Sequence, residues 1–123
     1  MEAGRELDAL VAEKVMGYER RLDGLGQEYW READKPRVRL VGTICDPQDL
    51  PLFAPSTDIS AAWEVVSLLI EKGYYVDILY SAKAHVWSCL LDYGGYREAD
   101  VIGDTAPYAI CLAALKAVGI EED

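Results

Sequence analysis

The sequence predicts an α+β fold in which three helices pack with a small antiparallel or mixed sheet, an α/β/α-type sandwich forming one domain over residues 1–123. Three apolar segments with helical spacing alternate with segments rich in β-branched and aromatic residues. A chain of 123 residues, 51% of them hydrophobic, suffices for one core. A small sheet cannot bury its apolar face alone, so the helices are expected to cover it.

The first helix is predicted over residues 5–16, with an apolar stripe that includes Leu7, Val11 and Val15 and a stop at Gly17. Residues 18–55 are predicted to form an irregular, variable region of loop and short strand. Within it, residues 37–45 alternate as a strand does. Residues 18–37 are read as a surface loop or, alternatively, as part of a hairpin that pairs residues 28–31 with residues 37–44.

The second helix is predicted over residues 58–72, with Ser56 or Thr57 capping its start and Gly73 ending it. Its predicted core stripe follows helical spacing. The members of that stripe are Ile59, Ala62, Trp63, Val66 and Ile70.

Strands are predicted over residues 74–80, 85–93 and 99–102, with turns at residues 81–84 and 92–96. The third helix is predicted over residues 106–118, where Pro107 suits the first turn. Lys116 is the one charged residue between Tyr108 and Val118, so this helix is expected to be buried on several faces or to form a homo-oligomer interface. Residues 120–123 are predicted to be a loose acidic tail.

The charge of −10, from 12 basic and 22 acidic residues, argues against nucleic acid and against an anionic membrane surface as partners. The chain has no apolar run long enough to span a membrane and no signal-peptide pattern at its start. Three separated cysteines, Cys45, Cys89 and Cys111, fit a reducing compartment better than a disulfide framework. These features predict a cytoplasmic protein.

Catalytic and metal-binding patterns are weak. The chain contains no glycine-rich phosphate loop, and one histidine with three scattered cysteines predicts neither a metal site nor a cofactor. Cys89 follows His85 by four residues on the same predicted strand, so a dyad is geometrically possible. A buried, unreactive cysteine is the more ordinary interpretation. The carboxylates of Asp100 and Asp104 are expected to face solvent.

The best binding candidates are the two polar turns that open the second and third helices. Their free N–H groups could hold an anion, which makes Ser56, Thr57, Asp104 and Thr105 candidate ligand residues. Negative charge at Asp58 and Asp104 opposes this, and simple capping explains both turns as well. Aromatic rings could add a stacking surface, and the candidates are Tyr93 and Tyr96, together with Tyr29, Trp30 and Trp87. Core placement is expected for Trp63 and Trp87.

Three segments resemble the phage ABA sandwich domain family. They are RELDALVAEKVMG at residues 5–17, STDI with AAWEVV at residues 56–66, and DTAP with AICLAALKA at residues 104–117. The resemblance spans residues 5–119 in the same order, although residues 18–55 match poorly. It implies an α/β sandwich encoded by phages or prophages of Gram-positive hosts and made in the cytoplasm of the infected bacterium. It carries over no catalytic residues.

The sequence and the resemblance together favour a non-enzymatic phage accessory protein that binds a ligand, such as a small anionic nucleotide signal of host immunity. The first alternative is an acidic protein that binds and inhibits a host protein. The second alternative is a small enzyme that uses His85.

Overall fold

The computed structural model describes residues 1–22, 28–31, 38–40 and 53–120. Helix α1 spans Arg5–Leu10 and continues as a π-helical segment over Val11–Val15. Helices α2 and α3 span Ile59–Glu71 and Ala106–Ala117. The described strands are β1 Glu19–Leu22, β2 Glu28–Arg31, β3 Val38–Leu40, β4 Tyr75–Ser81, β5 Val86–Tyr93 and β6 Tyr96–Gly103. The predicted α+β sandwich of three helices and a small antiparallel sheet is confirmed.

The main sheet has the order β4-β5-β6, with both pairs antiparallel. Gly94 and Gly95 turn β5 into β6 with φ values of 59° and 86°, a conformation that favours glycine. The register slips after Leu91, which pairs with Ala99, because Asp92 then pairs with Arg97 and leaves Glu98 as a bulge. The predicted turn at residues 92–96 is therefore a tight hairpin.

Short connections fix the direction of the helices. Residues 72–74 link α2 to β4, and residues 104–105 link β6 to α3, so each helix runs antiparallel to the strand beside it. Because β4 and β6 run in the same direction, α2 and α3 are parallel neighbours. Both helices therefore begin at one end of the molecule, where β6 ends.

Helix α3 lies at the centre of the core. It packs against β5 and β6 on one side and against α2, α1 and the π-helical segment on others. Buried residues cover most of its circumference, and they are Ala109, Ile110, Cys111, Ala113, Ala114 and Leu115. The prediction that this helix is buried on several faces is confirmed, so its apolar character is explained within one chain.

The second sheet, β1-β2-β3, is antiparallel and follows the π-helical segment. Tyr29 pairs with Leu40 and Arg31 with Val38, which confirms the hairpin alternative for residues 28–31 over the part of residues 37–44 that the structure describes. Trp30 is 1% exposed with Arg20 over its ring, so this indole is buried and is not a stacking surface. The described part of the chain does not include residues 41–52, among them Cys45, or residues 121–123.

The predicted core stripe of α2 was wrong in three positions. Ile59, Trp63 and Ile70 are exposed, Trp63 by 51%. The buried residues are shifted by one position around the helix, and they are Ala61, Ala62, Val65, Val66 and Leu69. Helix α2 packs against α3 and β4, and the large side chains of Ile59, Trp63 and Ile70 are turned outward.

Candidate functional site

The two predicted polar turns lie at the same end of the molecule, which we call the helix-start end (residues 1–4, 56–58 and 104–105). Parallel α2 and α3 both begin there, and the N-terminal segment contacts both starts. Gly4 N donates to Ser56 Oγ at 2.9 Å, and the Tyr108 hydroxyl in the first turn of α3 donates to the Met1 carbonyl. The positive ends of two helix dipoles thus point in one direction.

Ser56 joins the α2 start to α1. Its backbone N–H donates to Asp8 Oδ1 at 2.7 Å, and its hydroxyl also lies 3.5 Å from the Gly4 carbonyl. The side chain is 1% exposed. The hydroxyl group and the backbone N–H of Ser56 are therefore occupied by Gly4 and Asp8.

Asp8 is a partner of Ser56 that the apolar stripe of α1 does not predict. It is buried beside Ser56, and burial raises the pKa of its carboxyl group above 3.8, although the hydrogen bonds from Ser56 act in the opposite direction. A buried aspartate on an otherwise apolar face leaves no periodicity signal. The one sequence clue was a lone acid between Leu7 and Val11.

One of the two helix caps is as predicted, and the other is not. Thr105 caps α3 as expected, because its Oγ1 accepts from Tyr108 N at 3.2 Å. Asp58, rather than Ser56 or Thr57, caps α2 and accepts from Ser60 N at 3.1 Å. Thr57 and Asp104 are exposed, and the Thr57 hydroxyl lies 3.5 Å from the Ala54 carbonyl. The carboxylate at the α2 start satisfies an N–H group that an anion would otherwise contact.

Tyr93 and Tyr96 lie at the opposite end, across the β5–β6 hairpin. An eight-residue strand separates them from the helix-start end, roughly 25 Å. Both rings are exposed, and the Tyr93 ring packs 5.1 Å from that of Tyr74 and close to Gly73. Partial burial, Glu98 and Tyr93 raise the pKa of the Tyr74 hydroxyl. One small ligand cannot contact both groups of predicted residues in a single chain.

The proposed dyad of His85 and Cys89 rested on a strand placement that was wrong. His85 lies in the β4–β5 turn with φ of 56°, and its Nδ1 is 3.3 Å from the Tyr80 hydroxyl. Cys89 is fully buried against the helices, and burial, with a smaller effect of Asp77, raises the pKa of its thiol to about 12. Such a thiol stays protonated at neutral pH and is a poor nucleophile.

The described part of the chain holds few other side chains that could bind a metal or take part in catalysis. No three His, Cys, Asp or Glu side chains there come together as a metal site would require. Asp100 is exposed, 3.7 Å from Arg97. None of the helices over the described residues has the length and apolar character to cross a membrane.

A family model and a solved structure both relate this chain to phage proteins. The model of the family described as Phage ABA sandwich domain matches residues 9–115. A solved structure of a phage protein from Bacillus cereus ATCC 14579 superimposes with a TM-score of 0.70 at 27% identity, covering 100% of this chain and 93% of that one. No curated protein matches the chain significantly.

Proposed function

The chain belongs to the phage ABA sandwich domain family, and on that premise we propose that it is a non-enzymatic phage accessory protein that holds a small anionic ligand. The site is the helix-start end, and the ligand class is a nucleotide, such as a signal molecule of host immunity. The protein would act in the cytoplasm of the infected bacterium by sequestering that ligand.

The observation that carries this proposal is the parallel packing of α2 and α3, which brings two helix N-termini to one end. Each N-terminus carries a partial positive charge that favours an anion, although Asp58 and Thr105 already accept hydrogen bonds from Ser60 N and Tyr108 N. Thr57 and Thr105 are exposed at these two starts, where a ligand could reach them.

Charge at this end restricts the ligand. Asp104 is exposed beside the start of α3, and Asp58 already caps α2, so a multiply charged phosphate would meet repulsion. Lys83, in the β4–β5 turn at the same end of the sheet, supplies one opposing charge. A ligand with few charges and a large neutral part, as in cyclic nucleotides and ADP-ribose derivatives, fits this balance better than a nucleoside triphosphate.

Binding can be tested by native mass spectrometry and isothermal titration calorimetry against cyclic nucleotides, ADP-ribose derivatives and ATP. A bound species at micromolar concentration supports the proposal, and its absence across the panel refutes it. Thr105→Asp keeps a good capping residue and adds a negative charge, so binding should weaken. Tyr96→Glu places the same charge at the opposite end and should leave binding unchanged.

The Tyr96→Glu control also distinguishes the two groups of candidate residues. If it abolishes binding while Thr105→Asp has no effect, the ligand stacks on Tyr93 and Tyr96 and the helix-start site is wrong. The exposed rings of those tyrosines are the specific observation that favours this second location.

A further inference from the structure

Helices α2 and α3 cover one face of the main sheet. We call the opposite face the outer face. Its side chains include those of Tyr75, Asp77, Leu79, Leu90, Asp100 and Ile102. The register aligns Asp77, Leu90 and Asp100 in one row across the three strands. The next row contains Leu79, Ser88 and Ile102. Side chains that alternate with the buried Cys89 and Leu91 necessarily point away from the helices.

The outer face exposes large apolar side chains between its carboxylates. Ile102 is 64% exposed, Leu79 is 50% exposed, and Tyr75 is also exposed. The packing partners of the sheet among the described helices, α2 and α3, lie on the other face. Contiguous exposed apolar groups bordered by polar ones typically mark an interaction site.

The charge of the outer face is negative. Arg97 neutralises part of it, because its Nε lies 2.5 Å from Asp92 and its Nη1 lies 3.7 Å from Asp100. Asp77 has no ion-pair partner among the residues described. A partner that brings lysine or arginine beside apolar side chains would complement both properties.

The charge of the outer face argues against a second copy of this chain as the occupant. The three strands, of seven, eight and eight residues, give a face of roughly 350–400 Å², below the about 800 Å² per partner of a standard stable interface, so we expect a single occupant to bind weakly. A face-to-face dimer would also oppose two acidic surfaces in a chain of charge −10. One α-helix, about 10–12 Å in diameter, matches the width of the face.

We propose that the outer face binds a basic amphipathic helix of a partner protein, which lays its apolar side on Leu79, Leu90 and Ile102 and its cations beside Asp77 and Asp100. This helix would take on the uncovered face the role that α2 and α3 have on the other, and complete the burial of the sheet. The inference goes beyond the ligand proposal and does not depend on it.

The test uses a fluorescently labelled peptide of about 16 leucine and lysine residues with helical spacing, long enough to span the face. Anisotropy titration of the full chain should give micromolar binding that weakens with added salt. Ile102→Ser should weaken binding about tenfold, and Asp77→Asn should weaken it and reduce its salt dependence. Leu79→Ser provides a second variant should Ile102→Ser unfold.

Matched controls lie on α2. Ile70→Ser removes a comparably exposed isoleucine, and Glu71→Gln removes an exposed carboxylate. Neither should change peptide binding. Equal losses from Ile70→Ser and Ile102→Ser would show non-specific attraction and overturn the proposal.

Two further outcomes would overturn it. A peptide with glutamate in place of lysine that binds equally well would remove the charge argument. A dimer in sedimentation velocity that Ile102→Ser dissociates would identify a second copy of this chain as the occupant.

Discussion

Substitution of two adjacent residues on α2 distinguishes the buried stripe in the structure from the stripe that periodicity predicts. Leu69 is 1% exposed and lies in the core, while Ile70 is 58% exposed. The sequence pattern placed Ile70 in the core. Leu69→Ala and Ile70→Ala remove comparable side-chain volumes from neighbouring positions in the same helix.

The expected magnitudes follow from burial. Leu69→Ala removes a fully buried side chain and leaves a cavity, a loss of about 2–5 kcal/mol in the free energy of unfolding. Ile70 buries less than half of its side chain, so its transfer contribution is about 1 kcal/mol. Alanine's better helix propensity offsets a few tenths of this. The net cost of Ile70→Ala is therefore about 0–1 kcal/mol.

Urea unfolding followed by far-UV circular dichroism, with the slope m compared between variants, measures both values. For a chain of this length, the Leu69→Ala loss corresponds to a melting temperature lower by about 4 °C per kcal/mol. A cost for Ile70→Ala equal to or larger than that for Leu69→Ala would refute the buried stripe. The proteins should share one m value, so that the difference reports native packing.

Three other predictions concern the caps and the buried titratable groups. Thr105→Ala should lower the free energy of unfolding by about 1 kcal/mol in the same urea assay, and an unchanged midpoint would contradict its capping role. In a Cys45→Ser variant at pH 8, Ellman's reagent should leave Cys89 and Cys111 unmodified until the chain unfolds, because burial raises the pKa of both thiols, that of Cys89 to about 12. Burial also raises the pKa of the Asp8 carboxyl group in the folded chain, so this group is protonated at a higher pH in the folded chain than in the unfolded chain. The free energy of unfolding should therefore increase as pH falls through the folded-state pKa toward 3.8. Urea titrations across pH should show that Asp8→Asn lacks this gain, and an identical pH profile would contradict it.

Local signals in the sequence predicted most of the main sheet and the ends of α2 and α3. Glycines at 73, 94, 95 and 119 all have positive φ, and each stands where an element ends or turns. Such signals depend on the backbone preferences of one or two residues, which act before any tertiary contact forms.

The candidate site was predicted less completely. The sequence identified the polar turns at residues 56–58 and 104–105 but assigned the α2 cap to a neighbour of Asp58. It could not reveal that the polar atoms of Ser56 contact Gly4 and Asp8, because those contacts join residues about fifty positions apart. Tyr93 and Tyr96 were grouped with the turns by residue type, and the antiparallel register places them at the far end of the sheet.

The sequence by itself determined the α+β class, the element types and the family of this protein, since periodicity, glycine positions and three local segments carry that information. Tertiary structure alone decided which side of α2 is buried, that α2 and α3 start at one end, and that Asp8 is buried beside Ser56. The outer face of the sheet is also a tertiary result. An apolar residue in an alternating strand indicates that a face exists, but only the packing of the helices determines which face of the sheet they leave uncovered.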